Sequence, residues 1–303
     1  MRPASVTVVI ITWNRAASLA ETLETLHGLR VPDGVRCECL VIDNNCTDNT
    51  REVVASFEGR LPIRRLVEAT QGVSAARNRA LREARGDLIL WLDDDIHVEA
   101  GWLEAYVEAA NAWPRAAYFG GRIEPRYLCE PPEWARPNTE TLQGLLGVRD
   151  FGPVACPFPE GESPYGANMA LRRCLFERWT FDEQFGHSGT SRVLGEESDL
   201  FARARQQGLE GIWVPAARVT HGIPPERLTS DGVRHHFRAY GRALARRGDR
   251  QHTWILDYPR WLCRSYCMLT RSRIALMQLT GNTSWVPLLA RCSKWEGILD
   301  EGP

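Results

Sequence analysis

"GDLILWLDDDIHVEAGW" (Gly86–Trp102) joins five apolar residues, Leu88 to Leu92, directly to Asp93, Asp94 and Asp95. A continuous apolar run of this length suits a strand buried on both faces. The same alternation recurs upstream. "SVTVVIITWN" (Ser5–Asn14) is a β-branched strand, and "RAASLAETLETLHGL" after it places Leu19, Leu23 and Leu26 at helical spacing. Ser18, with Glu21 three residues on, is expected to form a capping box there. "CECLVIDNN" is a second strand ending in Asp43, and "CTDNTREVVASF" begins a helix. "LPIRRLVEA" and "SAARNRALREA" repeat the pair, so "DLILWLDDD" is the fourth strand. Four strands alternating with helices through short links predict parallel pairing, right-handed crossovers and helices on both faces. Ligands bind such sheets at the carboxyl ends of the strands. Asn14, Asp43 and Asp93 fall at those ends and should share one rim.

Downstream of Trp113-Pro114 the regularity breaks. Residues 124–165 carry eight prolines and are expected to form a long, mostly irregular insertion over the rim. "SPYGANMALRR" reads as a return to strand. "GEESDLFARARQQG" is a helix with acids at its start and Gly208 at its end. "IWVPAARVTH" is a strand that delivers His221. From about Pro225 the chain turns basic and helical, which divides it into residues 1–225 and a helical extension, 226–303. Within that extension Arg260, Arg264 and Arg271 fall within about 40° of one another on a helix.

The 303 residues suffice for one large domain with an extension, and the formal net charge of −1 supplies no global field toward nucleic acid or membrane. Among 37 basic residues Lys294 is the only lysine, a bias that codon usage in a GC-rich genome accounts for. Nine cysteines without CxxC pairs point to neither a zinc site nor a disulfide framework. A reduced, cytoplasmic protein is therefore expected, without a signal peptide or a spanning helix.

Three adjacent carboxylates after a buried strand call for a cation. Mg²⁺ or Mn²⁺ takes oxygen ligands and shares them with phosphate oxygens. His221 would add a nitrogen ligand better suited to Mn²⁺. Two alternatives stay open on residues alone: a plain acidic turn begun by Asp94 and Asp95, or a hydrolase with Asp93 as nucleophile. The phosphatase motif wants Thr or Val where His97 stands. A dinucleotide site is excluded because "TWNRAAS" has no Gly-x-Gly-x-x-Gly turn.

Taken in order, "VVIITWNRAASLAETLETL", "CLVIDNNCTDNT", "QGVSAARNRAL", "GDLILWLDDDIHVEAGWLE", "YGANMALRR" and "GEESDLFARARQQG" resemble the inverting family 2 glycosyltransferases over about residues 5–221. The resemblance implies the GT-A fold, a Rossmann-like, mostly parallel α/β sheet with helices on both faces. It also implies a nucleotide-diphospho-sugar donor, expected to be a UDP-sugar. It places Thr12 and Asn14 in the nucleotide pocket, Asp43 on the nucleobase, and Arg77 with Asn78 near the base or phosphates. Asp93 would face the ribose, Asp94 would lie with the nucleotide, and Asp95 would bind Mn²⁺ or Mg²⁺, with Asp93 and His221 as further ligands. Glu197 stands where the family's catalytic Asp usually lies, with Glu196 as its reserve. That one-methylene departure leaves a non-catalytic binding module as an alternative. Other roles compete: Asp43 as a helix cap, Arg77 as a solvated helix residue, and the glutamates as stabilisers of a helix start.

The acceptor is expected to be a glycan or lipid-linked intermediate. Tyr127, Trp134, Phe151, Phe158 and Tyr165 could stack on sugar rings or pack the insertion down. The extension, with Trp254, Trp261, Trp285 and Trp295 among its arginines, is a candidate for peripheral contact with the inner face of the cell membrane. Packing against the core or a second subunit in a homo-oligomer is the other expectation.

Overall fold

β1 (Ser5–Thr12) shows why the apolar runs are unbroken. Val8 and Ile10 enter one core with Leu19 and Leu23, while Val9 enters a second core with Ala76, Ala80 and Phe201. Both faces of the strand are covered, so both favour apolar side chains, and the buried Thr7 and Thr12 hydroxyls are hydrogen-bonded. The structure is a computed structural model that describes residues 3–176, 179–188, 191–248, 255 and 258–301. β1 is followed by α1 (Ala16–His27), β2 (Arg36–Asp43), α2 (Thr50–Ser56), β3 (Ile63–Val67), α3 (Val73–Glu83) and β4 (Leu88–Asp93). β5 (Ile96–Val98), α4 (Trp102–Ala112), β6 (Tyr118–Tyr127), α5 (Thr139–Leu146), β7 (Cys156–Pro157) and β8 (Asn168–Arg172) come next. The chain continues through α6 (Arg173–Phe176), β9 (Gly186–Ser188), β10 (Ser191–Val193), α7 (Glu196–Gln206) and β11 (Gly211–Ile223). It closes with α8 (Ser230–Arg246), α9 (Arg260–Leu279) and α10 (Trp285–Glu301).

The central sheet has nine strands in the order β3-β2-β1-β4-β8-β6-β11-β5, with β7 paired to β11. β3, β2, β1 and β4 are parallel, as the sequence predicts. β8 then runs antiparallel to β4, and β5 antiparallel to β11. Thr12 is in register with Asp43, and Ile11 with Asp93, so the carboxyl ends of β1, β2 and β4 form one rim.

The capping expectation for α1 fails. The helix starts at Ala16, and the Asp48 carboxylate accepts from the Ala16 N–H at 2.9 Å. The cap comes from the loop after β2, so Ser18 lies inside the helix. The Pro-rich segment is also more regular than expected. It contains the short α5, whose Leu142, Leu145 and Leu146 are buried at helical spacing.

The chain divides into two compact units. The first holds residues up to Pro125, Gly147–Thr190 and Glu196–Gly222 and contains the rim. The second gathers Arg126–Leu146, Ser191–Gly195 and Ile223–Pro303. In it, α8 and α10 cross so closely that a Cβ on Gly241 would lie 2.0 Å from the Lys294 carbonyl oxygen. The arginines of α8 have a structural explanation: Arg238 pairs with Asp300 at 2.7 Å and Arg246 with Glu301 at 2.9 Å. Trp134 packs edge-on to Trp285, while in the first unit Phe151 packs edge-on to Trp213. Those aromatics pin their own segments, the second of the two roles open to them. Arg149 lies 4.4 Å above the Tyr165 ring. Trp254 lies outside the described residues. No described helix is long and apolar enough to cross a membrane.

Candidate active site

At the rim, Asp93 closes β4 and the next two aspartates make the turn into β5. Asp94 and Asp95 are buried, so their charges cannot be left to water. Thr12 Oγ1 donates to Asp94 at 2.7 Å. Arg15 bridges the pair, with Nη1 2.7 Å from Asp94 Oδ1 and Nη2 2.9 Å from Asp95 Oδ2. His221 Nε2 lies 3.4 Å from Asp95 Oδ1, and the Gly222 N–H donates to the Asp95 carbonyl at 2.9 Å. Even so, burial pushes the Asp94 carboxyl up to about 7, against the pull of Arg15. Burial and the charge of Asp95 likewise raise Asp93. The trio is an excess of negative charge that one guanidinium does not fully neutralise.

The neighbouring strand ends are tied down by their own side chains. Asp43 accepts from Arg65 Nε at 2.9 Å and from the Cys46 N–H at 2.8 Å. Asn14 adopts φ 52°, and its Oδ1 accepts from the Thr47 N–H at 2.7 Å. Asn14 and Asp43 thus stand at the expected rim, where they also brace the loop after β2. Asn78 holds a neighbouring segment: its amide donates to the Phe181 carbonyl at 2.9 Å and accepts from the Phe181 N–H at 2.9 Å.

A second acidic pair lies at the start of α7. Arg77 Nη1 is 2.8 Å from Glu196 Oε1 and 3.5 Å from Glu197 Oε2. Arg77, expected near the base or phosphates, lies on the glutamates, where the buried Glu196 and the half-buried Glu197 call for a cation. The Gly166 N–H donates to Glu197 Oε1 at 3.0 Å. The approach is tight, since a Cβ on Gly166 would lie 2.1 Å from Arg77 Nη2. The two carboxyls also share a hydrogen bond and divide their roles. Burial and the neighbouring Glu197 charge raise Glu196, so it holds its proton. Burial also acts upward on Glu197, but Arg77, the Gly166 N–H and the Glu196 proton outweigh it and keep Glu197 ionised. Glu197 is the more open of the two, its side chain 18% exposed against 9% for Glu196. Asp93 senses the charges of Arg77, His221 and Glu197, which links the two clusters electrostatically.

Among the described residues no ready-made cage of three or more His, Cys, Asp or Glu side chains is present. Carboxylate oxygens with an adjacent imidazole nonetheless form a donor set that suits Mn²⁺. An incomplete protein shell is what a cation shared with a diphosphate requires. Arg15, Arg65 and Gly166 are the site-building residues that the sequence did not single out.

Comparison with known proteins gives the family and the fold. The family described as Glycosyl transferase family 2 matches residues 7–178. The succinoglycan biosynthesis protein ExoM of Rhizobium meliloti (strain 1021) is 29% identical over 242 residues, covering 76% of this chain and 72% of ExoM. Other curated relatives are longer, and the match spans between 34% and 37% of their length. A mannosyltransferase of Pyrobaculum calidifontis, solved with GDP-Man and Mn²⁺, superimposes with a TM-score of 0.65 at 18% identity over 100% of this chain and 89% of its own. TarS 1-349 of S. aureus, solved with UDP-GlcNAc, gives 0.58 at 15% identity over 97% and 89%. At these identities the two structures establish the GT-A fold alone.

Proposed function

We propose that this chain, which belongs to glycosyl transferase family 2, is a metal-dependent inverting glycosyltransferase. It moves a sugar from a nucleotide-diphospho-sugar to a hydroxyl of a growing polysaccharide or a lipid-linked glycan. The observation that carries this reading is the setting of Glu197: partly open, with its carboxylate 3.5 Å from Arg77 Nη1 and accepting from the Gly166 N–H at 3.0 Å. Such a carboxylate can take the proton of an acceptor hydroxyl as that oxygen attacks the anomeric carbon. Glu196 keeps its own proton and orients its neighbour. The nucleoside diphosphate leaves from the opposite face, so one in-line displacement inverts the anomeric centre, as in one-step inverting glycosidases. Asp95, with Asp93 and His221, would hold the dication, which supplies Lewis-acid stabilisation of the departing phosphate oxygen. Arg15, already on Asp94 and Asp95, would adjust to the arriving cation. Thr12, Asn14 and Asp43 line the nucleotide end of the rim.

Two facts outside the site support the substrate class. ExoM is named for succinoglycan biosynthesis, and the fold-level neighbours were solved with nucleotide sugars. A hydrolase using Asp93 is disfavoured, because the relatives are named as transferases and synthases. The donor is sought by a thermal-shift screen of UDP-, GDP- and dTDP-sugars with and without Mn²⁺, since a ligand of the native state raises the melting point. A UDP-sugar is expected to stabilise the protein only with the metal present. Indifference to every nucleotide sugar in both conditions would contradict the proposal.

A further inference from the structure

The second unit carries a face that the glycosyltransfer reading does not use. α9 holds Arg260, Arg264, Arg271 and Arg273 and no acidic residue. Its inner side is Cys263, Cys267, Thr270 and Ile274, all buried. Towards α10, the Cys267 thiol points to the Cys292 carbonyl at 3.9 Å and Arg271 pairs with Glu296 at 2.6 Å. At 100° per residue the opposite side is formed by Trp261, Ser265, Met268, Leu269, Ser272, Leu276 and Leu279. The five large side chains there are 69%, 68%, 74%, 63% and 85% exposed in that order. A single exposed leucine is ordinary, but five large exposed apolar side chains on one uncharged face, with only Ser265 and Ser272 between them, mark an interaction surface. Arg264 and Arg271 flank it on one side and Arg273 on the other. Arg264 and Arg273 have no ion-pair partner among the described residues.

We infer that α9 docks on an anionic lipid surface, lying in the plane of the bilayer with this face down. Charge decides between a bilayer and a second copy. A second α9 laid on this face would bring arginines against arginines, with no acid on either helix to relieve them. Lipid phosphates accept bidentate guanidinium contacts, and an apolar face of this kind sinks about 5–10 Å into the headgroup boundary. Twenty residues give a contact about 30 Å long. The helix rests on the membrane and does not span it, in keeping with the lack of a spanning helix among the described residues. The inference is independent of the catalytic reading, because its test measures binding and not transfer.

The test is flotation of the full chain with phosphatidylcholine vesicles, with and without phosphatidylglycerol. Wild type should float with the anionic vesicles and only weakly with the neutral ones. Leu269→Glu/Leu276→Glu should remain at the bottom while keeping the wild-type circular dichroism and melting point, and Arg264→Ser/Arg273→Ser should lose the preference for phosphatidylglycerol. Equal recovery of wild type and the double glutamate variant, or no flotation of wild type, would overturn the inference. So would a concentration-dependent dimer in sedimentation velocity that Leu269→Glu/Leu276→Glu abolishes, which would assign the face to a second copy. Should the glutamate variant misfold, brominated acyl chains provide the second readout. They should quench wild-type emission, and Trp261→Phe should remove that quenching; quenching that persists in Trp261→Phe also overturns it.

Discussion

Glu196 and Glu197 differ by one position, yet their surroundings move their carboxyls in opposite directions. The pair titrates as a unit, so its signature is a pH profile of transfer with two limbs. Glu197 is held below the ordinary glutamate value, which puts the acid limb below that of a free glutamate. Glu196 is raised to about 8, so the alkaline limb marks the loss of its proton. The same shift acts on stability with a definite sign. An acid whose folded value is raised stabilises the fold fully at pH below its unfolded value, and that contribution is lost as pH rises through about 8. Glu196→Gln should therefore flatten the decline in unfolding free energy between about pH 5 and pH 8, measured by urea denaturation. A decline as steep as that of wild type would contradict this. Gly166 provides a second test. A Cβ there meets Arg77 Nη2 at 2.1 Å and Glu197 Oε1 at 3.0 Å, so Gly166→Ala should displace the base. A kcat loss of about 100-fold with little change in donor KM is expected from steady-state kinetics.

At the scale of elements, much was legible where a pattern is local. The apolar runs of β1, β2 and β4 and the spacing of α1, α3 and α7 fixed those elements, because burial on both faces or on one stripe writes itself into residue order. The strand-end acids followed from the same reading. Features that depend on distant partners were not legible. The α1 cap comes from Asp48, 32 residues from the Ala16 N–H it receives. The antiparallel direction of β8 leaves no mark in its composition. α5 was hidden among prolines, although its leucines keep helical spacing. Arg15 and Arg65 could not be told apart from the many other arginines, since only the fold brings them to Asp94, Asp95 and Asp43. The cap gives a direct comparison: Asp48→Ala should cost about 1 kcal/mol of stability, while Ser18→Ala should be near neutral. Chemical denaturation of the two variants checks it, and equal losses would restore the capping box.

For the whole molecule, the fold sets where chemistry can occur and leaves the sugar to loops grafted on it. The family match ends at residue 178, before α8, α9 and α10, so those helices lie outside the matched segment. They carry the membrane inference, while the proposed catalytic residues lie in the first unit. The central claim is that the acids divide between holding a cation at the donor and moving a proton at the acceptor. Calorimetric titration of a responsive nucleotide sugar in Mn²⁺ against wild type, Asp95→Ala and Glu197→Gln, with turnover measured on the same samples, tests it most directly. The account predicts no metal-dependent binding for Asp95→Ala, and near wild-type donor affinity without transfer for Glu197→Gln. Undiminished transfer by Glu197→Gln, or Mn²⁺-dependent donor binding that survives in Asp95→Ala, would contradict it.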